Sequence, residues 1–308
     1  MKGNSLGETI YSLRHSKGLT QEQLAEGICS PVSLSRIENG RQMPSKVILD
    51  ALLSRLGAST YQLCDVFYQS DCQRSFNEIT RRASLLIEAG KIQQGLSLLE
   101  GLSENDASHA LERQSVLLIQ AAAQLKQNKN PEDSYVKLRE ALELTKPHID
   151  LSDFRHELLS PIEAEIIGLM VVALQQKEAR IEAIRVGEEL ARNLSDQQSG
   201  SNDFTIVRIN LEVNISSCLD FEGRFEEAAQ HAYLARDLSI ESHEQILLPV
   251  IFYLIGRSEF RNRNIEKARS IMQTIIPYME LIGQHDNAEM VRAFVEENLS
   301  TSKLNLGT

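Results

Sequence analysis

The chain has 308 residues, 42% of them hydrophobic and 24% charged, with a net charge of −11 and no Trp. That length allows about two domains with sizeable cores, and the acidity excludes nonspecific nucleic-acid binding by the whole surface. The longest apolar run, ILLPVIFYLIG at 246–256, is too short to span a bilayer and contains a Pro. The stretch MKGNSLGETIYSLRHSKG has no signal-peptide core. Cys29, Cys64, Cys72 and Cys218 form no CxxC pair. The expectation is a soluble cytoplasmic protein with reduced thiols, no metal site and no membrane partner.

Charge is unevenly spread. Residues 1–65 hold seven Lys/Arg against six Asp/Glu, while the remainder holds 25 against 37, so only the first piece suits a polyanion. The spacing predicts a helix over Leu6–Ser16 closed by Gly18. The stretch LTQEQLAEGICSPVSLSRIENGRQMPS at 19–45 then reads as helix, turn, helix. Thr20 is an N-cap and Gln23 completes a capping box, with Leu24, Ala25 and Ile28 on the apolar face. Ser30 caps the next helix, Pro31 sits at its first position, Leu34 and Ile37 point inward, and Gly40 ends it. Ser45 caps a further helix, Lys46–Leu56, which Gly57 ends. The outward face of the second helix of the pair carries Pro31, Val32, Ser33, Ser35 and Arg36. Small residues with one Arg suit a major groove, although a plain helical hairpin would show the same spacing.

The residues LTQEQLAEGIC and SLSRIENG resemble the helix-turn-helix of the phage-repressor (Cro/CI, or Xre) family over roughly residues 5–60. The resemblance implies a phosphate contact for Gln21 and base reading by Ser30, Pro31, Val32, Ser33 and Arg36. It implies DNA-backbone contacts for Asn39 and Arg41, and a structural Arg14–Glu38 bridge. Two departures matter. The turn GICSPVSLS is one residue shorter than usual, and Pro31 and Val32 cannot make bidentate amide contacts. Base reading is therefore expected to lean on Arg36, on methyl contacts and on DNA shape.

From about Arg74 onward only helical periodicity is present. FEGRFEEAAQHAYLARDLS at 221–239 has the spacing of a tetratricopeptide repeat: Gly223, an aromatic at 225, then Ala228, Ala232 and Ala235. Related patterns at LIEAGKIQQGLSLLEGL and NRNIEKARSIMQTII, with Gly256 as a close-packing position, extend the series. Five helix pairs are predicted, at about 75–103, 109–146, 161–194, 204–240 and 245–281, with a last helix at 285–299. The packing positions Gly95, Ser134, Ala183, Ala228 and Ala268 lie about 40 to 50 apart, beyond the usual 34, and the turn-rich segments 144–153 and 197–203 are read as extended loops. The fold class is all-α: a helix-turn-helix domain followed by a right-handed superhelix of about five TPR-like pairs with a concave face. The register places Asn210 and Asn214 on that face, then Tyr253 and Arg257, and Gln120 and Gln175 in the second and third pairs. An Asn amide can clamp a peptide main chain, and Arg257 could meet a carboxylate end.

The join of these two parts resembles the Rgg/PlcR-type quorum-sensing regulators, and the shortened turn is similar to the PlcR branch. The resemblance implies a cytoplasmic homodimer that binds a double-stranded DNA operator and a short linear signalling peptide, with no cofactor. It divides the chain into a DNA-binding domain at 1–65, a linker helix at 66–74 within the coupling segment 58–75, and a repeat domain at 75–308. Two alternatives stand beside it. One is a regulator answering to a protein partner or to no ligand. The other is an enzyme, against which no HExxH, GxSxG, P-loop or GxGxxG occurs, so no catalytic residue is assigned.

Overall fold

The computed structural model describes residues 6–57, 71–102, 110–196 and 202–299. Fifteen α-helices and no strand occur among the described residues. The chain divides into two compact units, Met1–Arg82 and Ala83–Thr308. Residues 58–70 of the expected coupling segment and 197–201 of the second expected loop lie outside the described residues.

The first unit holds α1 (Leu6–Ser16), α2 (Gln21–Ala25), α3 (Pro31–Glu38) and α4 (Lys46–Arg55). Local chemistry sets these boundaries. Thr20 and Gln23 form the reciprocal capping box, Ser30 accepts from Ser33 N with Pro31 following, and Ser45 accepts from Ile48 N. Gly18, Gly40 and Gly57 take φ of 66°, 67° and 68°, the left-handed stop for which glycine has no steric cost. Ile10, Leu24, Ala25, Leu34, Ile37, Leu52, Leu53 and Leu56 form the core. The short α2 is held from outside, since Arg55 Nη1 donates to Leu24 O at 3.0 Å and to Glu26 O at 2.5 Å. Gly7 lets α1 lie against the end of α3: a Cβ there would stand 2.2 Å from Ile37 O.

The second architecture is a file of helix pairs: α5 (Asp71–Glu88) with α6 (Ile92–Glu100), α7 (Ala110–Lys126) with α8 (Pro131–Glu143), and α9 (Pro161–Gln176) with α10 (Arg180–Asp196). Next come α11 (Asn202–Phe221) with α12 (Phe225–Glu241), α13 (Leu248–Arg261) with α14 (Ile265–Leu281), and a final α15 (His285–Asn298). The expected packing positions are all buried: Gly95, Ser134, Ala183, Ala228 and Ala268. Small residues bring the helix axes close. At Gly187 an added Cβ would meet Ile215 Cγ1 at 2.8 Å, and at Gly256 it would meet Met272 Cε at 2.7 Å.

The segment after α8 is more than a loop. Ile149, Leu151, Phe154 and Leu159 are buried in the main core, alongside Leu138, Ile167 and Leu190. Buried Asn193 on α10 pins the segment, its Nδ2 reaching Phe154 O at 2.8 Å and Glu157 O at 2.8 Å. The turn-rich segment 144–153 was read as an extended loop. Its apolar members alternate with polar ones too irregularly to show a periodicity, so the burial had no sequence signal.

First helices of successive pairs touch: α7 with α9, α9 with α11, and α11 with α13. Second helices make no comparable contact with one another among the described residues. A stack with one row close and the other spread curves toward the close row, so the first helices line its inner side.

Candidate nucleic-acid interface and ligand groove

In the first unit, α3 is seated by a charged anchor. Arg14 Nε donates to Glu38 Oε1 at 2.7 Å and Nη2 to Glu38 Oε2 at 3.0 Å, a bidentate pair whose carboxylate side chain is 2% exposed. Arg14 Nη1 also donates to Leu19 O at 2.8 Å, and the guanidinium lies 5.3 Å from the Tyr11 ring centre. The hydrogen bonds to Glu38 raise the Arg14 pKa further, against the cost of burial. With Leu34, Ile37 and Glu38 turned in, α3 presents Pro31, Val32 and Arg36 outward, all exposed.

The expected DNA-facing residues divide by how free their polar atoms are. Arg36 and Arg41 are exposed. Gln21 turns one amide N–H inward, its Nε2 donating to Glu38 Oε2 at 2.6 Å where the bidentate bridge leaves a second acceptor site, and it has a second N–H beyond that bond. Asn39 caps its own helix, donating from Nδ2 to Ser35 O at 2.7 Å. Ser30 and Ser33 are joined through their hydroxyls at 2.9 Å. Met43 and Val47, exposed apolar residues just past the helix pair in the chain, were not singled out.

In the repeat unit, side chains of the inner row that reach the surface define a strip. Asn210 on α11 is exposed, while Gln120 on α7, Leu169 and Val172 on α9, Asn214 and Ser217 on α11 and Val250 on α13 are partly exposed, Leu169 and Val172 packing also against the main core. Asn210 Nδ2 donates to Ile206 O at 3.1 Å and Asn214 Nδ2 to Asn210 O at 2.9 Å, which leaves both Oδ1 atoms as outward acceptors. Gln175 is tied across the row, donating to Ser217 Oγ at 3.2 Å.

Two expected groove residues are corrected. Tyr253 is buried, its ring packed edge-on against Phe294 of α15 at 6.0 Å, since the final helix covers this end of α13. Arg257 does not stand free for a ligand carboxylate: its Nη2 is ion-paired with Asp220, itself buried at the end of α11, and its side chain is 16% exposed. Arg257 also stacks 5.5 Å from the Phe221 ring, whose other neighbour is Arg180 at 5.0 Å. Phe221 is 58% exposed, so an aromatic ring between two cations stands at the edge of the strip. Counting one more turn from Asn214 and Ser217 would have found it.

His231 is no simple surface residue either. Its Nδ1 lies 2.5 Å from Oε2 of the fully buried Glu212, which also accepts from Arg208 Nε at 2.5 Å. Burial pushes the Cys218 thiol up to about 11, which suits an inert thiol.

Residues 5–63 match the family described as helix-turn-helix domain. No curated protein matches the chain by sequence. Among solved structures, Bacillus thuringiensis PlcR in complex with the peptide PapR7 and DNA is similar at 19% identity, covering 93% of this chain and 98% of that one, with a TM-score of 0.69. The Streptococcus dysgalactiae SHP pheromone receptor Rgg2 is similar at 15% identity, covering 95% and 99%, with a TM-score of 0.57. The apo competence regulator ComR from Streptococcus vestibularis is similar at 17% identity, covering 96% and 98%, with a TM-score of 0.51. From its helix-turn-helix domain through its stacked helix pairs, the chain has the fold shared by PlcR, Rgg2 and ComR.

Proposed function

We propose that this chain is a cytoplasmic, homodimeric DNA-binding transcription regulator, switched by a short linear peptide held along the inner row of its repeat unit. In this reading residues 1–65 dock on a double-stranded operator, 66–74 couple, and 75–308 sense. The observation that carries the reading is the strip of exposed and partly exposed apolar and neutral polar side chains spanning α7, α9, α11 and α13, in a chain that begins with a helix-turn-helix domain. Amide and hydroxyl groups spaced along adjoining helices suit the repeating polar groups of a peptide main chain. Leu169, Val172 and Val250 favour apolar side chains between them. The solved complex of PlcR with a peptide and DNA supports the same division of labour. With Arg257 already paired to Asp220, recognition in this reading rests mainly on the peptide main chain.

The test is mass spectrometry of small peptides released by heat from protein purified from its own cells, then calorimetry with the peptide found. Asn210→Ala and Asn214→Ala should each weaken binding by about 1–3 kcal/mol, with the unliganded melting temperature unchanged. A double variant that binds as well as wild type would sink the assignment of this strip. Sedimentation of a monomer at micromolar concentration, with and without DNA, would remove the dimer.

A further inference from the structure

The outward face of α3 carries little that can hydrogen-bond a base. Val32 is 62% exposed, in the first turn. At about 100° per residue, Arg36 and Asn39 fall within about 40° of it, on one stripe. Asn39 and Gln21 each direct one amide N–H into the domain, to Ser35 O and Glu38 Oε2, and retain a second N–H and the amide oxygen. Ser30 Oγ takes both the Ser33 N–H at 3.0 Å and a hydroxyl contact with Ser33 Oγ at 2.9 Å. Between them the two serines keep one rotatable hydroxyl hydrogen. Pro31 has no N–H to offer.

Beside the amide of Asn39 at its far end, the stripe holds an isopropyl group and a guanidinium. The major groove displays one apolar group, the thymine 5-methyl, and one bidentate acceptor pair suited to Arg, on guanine. A Val side chain pressed on cytosine or adenine would cover an amino group without pairing it, which disfavours those bases.

We propose that Val32 is a specificity-determining residue that reads a thymine methyl group, one helical turn ahead of Arg36 on a guanine. This rests on the DNA-binding reading above. Four residues of helix rise about 6 Å and base pairs lie about 3.4 Å apart, so the thymine and the guanine stand within about two base pairs of each other.

The test begins with selection from randomised 30-base-pair duplexes (a probe length of choice, about three helical turns) by the full chain. Affinity is then measured for the enriched duplex with each thymine replaced in turn by deoxyuridine, which removes only the methyl. One replacement per half-site, within two base pairs of a guanine, should weaken binding about three- to fivefold, the value of one buried methyl. Val32→Ser, at a site too exposed to affect folding, should bind the thymine and uracil forms equally, while Arg36→Ala should keep the methyl preference and lose the guanine. An enriched duplex that shows no methyl effect, or a Val32→Ser protein that retains it, overturns this assignment and leaves DNA binding standing. Failure to enrich any duplex overturns both.

Discussion

The two units bury charge in different ways. In the first, one carboxylate, Glu38, gathers Arg14 and Gln21, and that single anchor seats the helix that faces outward. In the second, buried carboxylates recur within and between helix pairs: Glu212 with Arg208 and His231 inside one pair, Asp220 with Arg257 across two, and Glu259 with Lys267 and Asn264 inside a pair and with Tyr233 of the pair before it. A small domain with eight core aliphatics leans heavily on this buried anchor. A file of pairs distributes the same task, so that no single bridge holds the array. Removing one partner of a buried pair costs far more than the pair contributes, because the other charge is stranded.

The comparison breaks or sharpens most clearly at Glu38. Glu38→Ala leaves the Arg14 guanidinium buried without its carboxylate and should lower the stability of the first unit by about 3–5 kcal/mol. Denaturant unfolding should show the loss confined to one transition; an equal loss in every transition would mean that the units do not differ as described. Glycine gives the next largest contrast. Gly7→Ala drives a Cβ onto backbone oxygens, Ile37 O at 2.2 Å and Glu38 O at 2.5 Å, and should cost about 1–3 kcal/mol or more. Gly256→Ala meets only the flexible end of Met272 and gains up to about 1 kcal/mol of helix propensity, so its melting temperature should barely move.

Asn193→Ala should cost about 1–3 kcal/mol by unpairing the carbonyls of the buried connector. The check is faster hydrogen exchange at 147–158 while the first unit stays protected. The smallest effect is in pH. Burial opposes the charge of Glu212, but the hydrogen bonds from His231 and then Arg208 outweigh it and hold the carboxyl below its usual value. The folded state therefore prefers the ionised form. Its stabilisation is complete above the ordinary Glu value of about 4.3 and is lost as pH falls through the lower folded value. Glu212→Gln should flatten that acid limb, read as melting temperature against pH. An unchanged limb would assign acid sensitivity elsewhere.

Much of the architecture was legible because it is written locally. Thr20 with Gln23, Ser30 with Pro31, and the glycines at 18, 40 and 57 each specify a helix end within four residues, and the helices begin and end there. The small residues at 95, 134, 183, 228 and 268 marked the helix contacts for the same reason. The partners of long polar side chains were not legible. Asp220 and Arg257 are 37 residues apart, and nothing near either one announces the other. Gln21 was assigned outward from the family pattern, and its turn toward Glu38 depends on where the Arg14 bridge leaves a lone pair. Tyr253 kept its register position and lost its exposure to α15, a helix whose packing a single-pair pattern does not encode.

Because each helix pair is held by its immediate neighbours, the repeat unit is mechanically a jointed rod. Each seam is packed about as closely as a pair is within itself, so bending is shared, and the small bends of successive seams add. In the proposed reading, a peptide laid along the inner row acts as a splint over several seams at once. It changes the curvature of the whole rod more than any contact changes a single seam, and the displacement is greatest at the ends, farthest from where the splint is applied.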